Sequence, residues 1–155
     1  MTDAPISLRA LSDPADLEPL KPLYEQSDGP SYGFLQSLLD QSHCRAWYLL
    51  KDSQPVAAIW YQCAAERAEM VDLRVLAAER RQGLGRQLLW ASLTALGDVG
   101  AVDLEVRSSN VAARALYESL GFSETGSRSN YYTALDGRED AILMTLTLNQ
   151  GGSAT

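Results

Sequence analysis

The run Arg80-Arg81-Gln82-Gly83-Leu84-Gly85-Arg86 sets two glycines among three arginines, a combination that can hold an anion close to the backbone. Met70-Val71-Asp72-Leu73-Arg74-Val75 precedes it with strand composition, and Gln87–Leu96 follows with good helix formers stopped by Gly97. A junction from strand to helix leaves outward-pointing N–H groups, which favour a phosphate. Arg80 and Arg81 oppose the helix macrodipole there, and a bound pyrophosphate would reconcile them with it. A Walker loop is excluded, because no second glycine is followed by Lys and Ser/Thr. A Rossmann fingerprint is excluded, because Leu88 occupies the place of its third glycine. A glycine-bearing turn that merely starts a helix would use the same letters.

Other chemistries find less material. His43 is the only histidine, and no nucleophile motif accompanies it. Cys44 and Cys63 show no paired Cys/His spacing, so no metal is expected and both read as reduced thiols of a cytoplasmic protein. The net charge of −7 argues against nucleic acid as a partner. No secretory leader or membrane span is expected, since Met1 to Pro5 has no basic region and no apolar run is long enough. With 155 residues, 46% hydrophobic and 21% charged, the chain fits one globular domain.

The remaining elements must position that loop. Ile6–Leu11 alternates as a strand. Asp13 to Asp16 offers caps for a helix through Leu17, Leu20 and Leu23, made irregular by Pro19 and Pro22. Gly29-Pro30 breaks the chain before a short helix over Tyr32–Leu39. Arg45–Lys51 and Val56–Cys63 read as a hairpin across Asp52-Ser53-Gln54-Pro55, and Glu66–Glu69 as a polar break. Ala101–Val106 alternates with Val102, Leu104 and Val106 on one face, and Asn110 caps a helix ended by Gly121. Ser123–Tyr131 and Ala141–Leu148 read as final strands around Asp136-Gly137. The order predicts an α/β fold with a single mixed, mostly antiparallel sheet of six to seven strands and about four helices. The domain is expected over residues 1–148, with a frayed tail at 149–155.

The pattern Arg-x-x-Gly-x-Gly resembles the acetyl-CoA loop of the GNAT N-acetyltransferase superfamily, and the element order is similar throughout. The likeness sharpens in Leu104–Asn110, Ala115–Phe122, Asn130-Tyr131-Tyr132 and Asp136–Ala141. With Arg81–Arg86 these resemble the ribosomal-protein-alanine N-acetyltransferases of the RimI type over about residues 70–148. Two departures fall in acceptor-shaping segments: Pro30-Ser31-Tyr32 where the family carries Pro-Trp-Ser, and Thr133 where it carries proline.

The resemblance implies a set of roles. Leu73, Arg74 and Val75 would lie along the pantetheine arm of acetyl-CoA, with a backbone N–H near Val75 facing the thioester oxygen. Arg81, Gln82, Gly83, Leu84, Gly85 and Arg86 would hold the pyrophosphate, chiefly through main-chain N–H groups, and Asn110 would contact the coenzyme. Glu105 would be the general base and Tyr117 the general acid, with Glu69 and Asp72 as alternative bases. A phenol of pKa about 10 can protonate a thiolate whose acid lies near 8.5. The implied acceptor is the basic amino-terminal segment of a small-subunit ribosomal protein (the eighteenth), with Asp136, Glu139 and Asp140 as compatible charges. Lysine, a polyamine or another small amine is the alternative acceptor, and a non-catalytic acetyl-CoA-binding module the alternative of another class.

Overall fold

A computed structural model describes residues 5–25, 29–135 and 137–148. Seven strands form one sheet in the order β1-β2-β3-β4-β5-β7-β6. The strands are β1 Ile6–Leu11, β2 Cys44–Lys51, β3 Gln54–Ala64, β4 Arg67–Val75, β5 Ala101–Arg107, β6 Ser123–Ala134 and β7 Gly137–Thr147. The α-helices are α1 Tyr32–Leu39, α2 Leu84–Leu96 and α3 Val111–Ser119, joined among the described residues by 3-10 segments at Pro14–Asp16, Glu18–Tyr24 and Ala77–Glu79. β1–β2, β2–β3, β5–β7 and β6–β7 pair antiparallel, whereas β4 and β5 pair in parallel over Arg67–Glu69 against Ala101–Asp103. This is the mixed sheet that the element order predicts.

The chain divides into two compact units, Met1–Ala64 with Val71–Gly97, and Ala65–Met70 with Asp98–Thr155. In the first, Leu11, Leu17, Leu20, Leu23, Leu35, Leu38, Ala46, Ala58 and Trp60 form a buried cluster. α2 buries Leu88, Leu89, Leu93 and Leu96. Each such leucine contributes about 1.5–3 kcal/mol relative to exposure. Ser92, also buried there, is satisfied by Tyr61 Oη at 2.7 Å and by donating to Leu89 O. In the second unit β5 alternates as expected, burying Val102, Leu104 and Val106 and leaving Asp103, Glu105 and Arg107 half-buried. Arg67 and Asp103 close a bidentate pair at 2.7 and 2.9 Å, and Thr145 donates to the same carboxylate.

Several expectations need correction. The expected helix through Leu17 to Leu23 is two 3-10 segments, Pro14–Asp16 and Glu18–Tyr24, because Pro19 and Pro22 remove the N–H groups an α-helix would need. The hairpin turn is Asp52-Ser53 alone, both at positive φ (53° and 66°), so Gln54-Pro55 is already strand. Pro55 is tolerated beside a register shift at Leu49/Leu50. The polar break shrinks to Ala65-Glu66, and Arg67–Glu69 is strand, with Arg67 paired to Asp103 across the sheet. α2 begins at Leu84, three residues before the expected start. Asp136 and the tail Asn149–Thr155 lie outside the described residues.

Candidate active site

Within the first unit, the end of β4 from Val71 to Val75 runs toward a 3-10 turn Ala77–Glu79 and then the glycine loop. Gly83 is the N-cap of α2 at φ 76°, with no side-chain capping bond. A Cβ built on Gly83 would meet nothing within 4 Å, so open space faces the cap. No acidic residue stands in the first turn of α2, so no carboxylate of that turn offsets its positive pole. The first-turn N–H groups of Leu84 and Gly85 have no intrahelical acceptor by helix geometry. This combination fits a phosphate seat. Leu84 contributes only backbone, since its side chain is in the core. Gly85 does not adopt positive φ, so the need for a left-handed angle applies to Gly83 alone.

Around the loop, Arg80 folds back to donate from Nε to Val75 O at 3.3 Å. Arg81 takes φ 66°, and Arg81, Gln82 and Arg86 are exposed. Lys51 at the end of β2 braces the turn, with Nζ 2.8 Å from Glu79 Oε1 and 3.0 Å from Gln82 Oε1. Sequence reading missed Lys51, because only the fold brings it across from 31 residues away.

Leu73 and Val75 are half-buried on β4. The Arg74 side chain serves the N-terminal segment instead: it stacks 4.7 Å over the Tyr24 ring, reaches Leu23 O at 3.5 Å and pairs with Asp72 at 3.3 Å. Asp72 is only 9% exposed, and burial pushes its carboxyl up to about 6 against the opposing pull of Arg74. Burial, followed by the Asp72 charge, raises the Tyr24 phenol, whose oxygen accepts from Trp60 Nε1 at 2.9 Å. The two alternative bases therefore differ: the Asp72 side chain is 9% exposed, whereas Glu69 is exposed.

Within the second unit, Glu105 sits opposite Leu143 on β7. Its Oε1 lies 3.1 Å from Arg128 Nε, with side chains 21% and 55% exposed respectively. Arg128 in turn lies 5.5 Å over the Tyr131 ring. β6 slips register between Arg128 and Tyr132, with Asn130 at φ 53°. Asp140 Oδ1 holds this irregularity by accepting from Asn130 N, and Arg138 donates to Asn130 O. Tyr131 and Tyr132 meet edge to face at 5.0 Å, and Arg107 lies 4.5 Å over Tyr132. Burial raises the Tyr132 phenol, with the Glu105 charge the next cause. Sequence reading did not single out Arg128, whose place beside Glu105 depends on the slipped register.

Tyr117 is the buried residue of α3, 7% exposed and packed 5.9 Å from Phe122. Asn110 caps α3 as expected, its Oδ1 accepting from Ala113 N at 3.1 Å, so a ligand would have to use its amide nitrogen. Glu139 is consumed internally. Its Oε1 takes Arg107 and its Oε2 takes Ser108 Oγ and Ser109 N, and hydrogen bonds, first from the Ser109 side chain, hold the carboxyl at about 2. Among the expected acceptor-facing carboxylates, Glu139 and Asp140 therefore brace their own unit.

The chain can now be set beside known proteins. The family profile described as Acetyltransferase (GNAT) family matches residues 10–122. The [Ribosomal protein bS18]-alanine N-acetyltransferase of Escherichia coli K12 is 48% identical over 90 residues, 57% of this chain and 61% of that protein. The aligned stretch thus spans about three fifths of that relative's length. The protein of the same name from Salmonella typhimurium is 43% identical over 103 residues, 65% of this chain and 70% of that one. The crystal structure of the ribosomal-protein-S18-alanine N-acetyltransferase from Escherichia coli superposes with a TM-score of 0.88 at 33% identity, covering 97% of this chain and 99% of that one.

Proposed function

The chain belongs to the Acetyltransferase (GNAT) family, and from that premise we propose that it transfers the acetyl group of acetyl-CoA to the amino-terminal alanine of a bS18-type ribosomal protein in the cytoplasm. The observation that carries this reading is the likeness to the Escherichia coli enzyme over 97% of the chain. In this reading residues 1–148 are a single acetyltransferase domain. The open cap at Gly83 and the first turn of α2 take the coenzyme pyrophosphate, with Arg81 and Arg86 adding charge. Leu73 to Val75 offer backbone to the pantetheine arm, and Asn110 contributes its amide nitrogen.

The acceptor's free amine attacks the thioester carbon. Glu105 removes a proton from that nitrogen through water, and a backbone N–H near Val75 stabilises the oxyanion. As the carbon–sulfur bond breaks, Tyr117 gives its proton to the departing thiolate, so an amide and a thiol are the products. An α-amine of pKa near 8 is roughly a tenth neutral at pH 7, against far less for lysine near 10.4, so a relayed carboxylate suffices. A mass-spectrometric survey with acetyl-CoA tests the acceptor. An alanine-initiated, arginine-containing peptide is expected to gain one acetyl group. An unmodified peptide beside acetylated spermidine or lysine overturns the assignment.

A further inference from the structure

Asp72 carries a carboxylate, its side chain 9% exposed, that neither the glycine loop nor the Glu105 cluster employs. Its Oδ2 is buried without a hydrogen-bond partner, while Oδ1 takes Arg74 at 3.3 Å. That bond is long for a charge-assisted contact, which ordinarily closes to about 2.7–2.9 Å. A fold rarely retains a buried carboxylate oxygen unpaired, because its lost hydration is not replaced.

The surroundings are those of a cation site. The Tyr24 ring supplies an aromatic face, Leu23 O a carbonyl and Asp72 a carboxylate, and all three are already turned toward the Arg74 guanidinium. The wall at Gly29 is backbone: a Cβ there would come within 2.6 Å of Arg74 Nη2, so Gly29 allows the close approach. Two of the carboxylates expected to suit a basic acceptor are engaged internally, Glu139 with Arg107, Ser108 and Ser109, and Asp140 with Asn130. Asp72 also directly precedes Leu73–Val75, the backbone proposed above to lie along the pantetheine arm.

We infer that Asp72 determines acceptor specificity, its Oδ2 accepting a hydrogen bond from a cationic N–H donor in the acceptor's amino-terminal segment. This rests on the acceptor being a basic peptide, as proposed above. The donor is the α-ammonium or a nearby guanidinium, and Arg74 keeps the other carboxylate oxygen. With Asp72 lifted to about 6, the carboxylate is ionised at neutral pH and able to receive a cation.

The test measures binding by calorimetry with coenzyme A present in place of acetyl-CoA, so that no turnover occurs. Three peptides are compared: one with an alanine amino terminus followed by arginine, its des-amino analogue, and one with citrulline in place of the arginine. Asp72→Asn is expected to weaken the parent peptide about tenfold to a hundredfold, the range of a hydrogen bond to a charged group. Coenzyme affinity is expected to stay unchanged. The analogue that has already lost the relevant donor should not weaken further, which identifies the source of the cation. A buried water at Oδ2, or a purely structural role, predicts equal effects on all three peptides, and that result overturns the inference. Should the amide variant fail to fold, Asp72→Ser removes the same oxygen. Equal affinity of the wild-type protein for all three peptides overturns the inference without any variant. A wild type that binds no alanine peptide refutes the acceptor reading instead, and the same Asp72→Asn comparison is then made on spermidine, where unchanged affinity overturns the inference.

Discussion

Replacing Asp72 by asparagine is expected to stabilise the protein above pH 6 relative to its low-pH behaviour. The folded state lifts this carboxyl from 3.8 to about 6, mainly by burial. A raised folded-state pKa makes the group's contribution fully present below about 3.8 and progressively lost as pH rises through about 6. Roughly two units at 1.36 kcal/mol each give a loss of about 3 kcal/mol as an upper bound. The side chain is 9% exposed, so solvent screening trims this only modestly. An amide reproduces the charge state of the neutral acid and lacks the ionised form's attraction to Arg74, an attraction already contained in the net rise to about 6. Urea unfolding of both proteins at about pH 4, 5, 6 and 7.5 isolates the term, since all other groups are shared. The stability difference should move in favour of the variant by about 2–3 kcal/mol between pH 4 and 7.5 and then level off. A difference that does not change with pH, or that moves in favour of the wild type, would refute the reasoning.

Further outcomes follow from the glycine loop and the caps. Gly83→Val should weaken acetyl-CoA binding about tenfold or more, because φ 76° is strained for a β-branched residue and the open space at the cap would be filled. Calorimetry on folded variant decides this, and unchanged affinity would reduce the loop to a helix start. Asn110→Ala should lower stability by about 1 kcal/mol through loss of the cap to Ala113, read by urea unfolding. Lys51→Met should release Glu79 and Gln82 from their common brace and weaken coenzyme binding severalfold, with little change in turnover at saturating coenzyme.

Much of the frame was legible because its signals are local. Ile6–Leu11 and Tyr32–Leu39 came out with the observed boundaries, the second because Gly29-Pro30 isolates it, and in the structure Ser31 caps it. Asn110 was readable as a cap for the same reason. The start of α2 was displaced because Gly83 and Gly85 look like loop, yet a glycine in the first turn interrupts no intrahelical N–H bond. Gln54-Pro55 looked like a turn because its tolerance depends on a register shift in the partner strand. Arg67–Glu69 looked like a break because the charge that satisfies Arg67 is Asp103, 36 residues away.

The same distinction runs through the candidate site. The glycine loop is contiguous in sequence, so a local pattern was enough to read it as the passage from a strand to a helix. Arg128 beside Glu105, Lys51 under the loop and the burial of Asp72 all arise from long-range packing, which no local pattern encodes. Glu139 looked like an outward charge and is instead the brace of the turn before Asn110.

The central claim is that Glu105 and Tyr117 carry the two proton transfers of acetyl transfer to an α-amine. A pH–rate series with the alanine peptide on Glu105→Gln and Tyr117→Phe tests it most directly. Tyr117→Phe keeps the ring packed against Phe122 and should lower the maximal rate by about 10²-fold at every pH, with coenzyme affinity unchanged. Glu105→Gln should be slow near neutrality and recover as pH rises past about 8, where the acceptor amine deprotonates unaided. Near wild-type turnover of Tyr117→Phe, or a Glu105→Gln defect that stays flat across pH, would contradict the account.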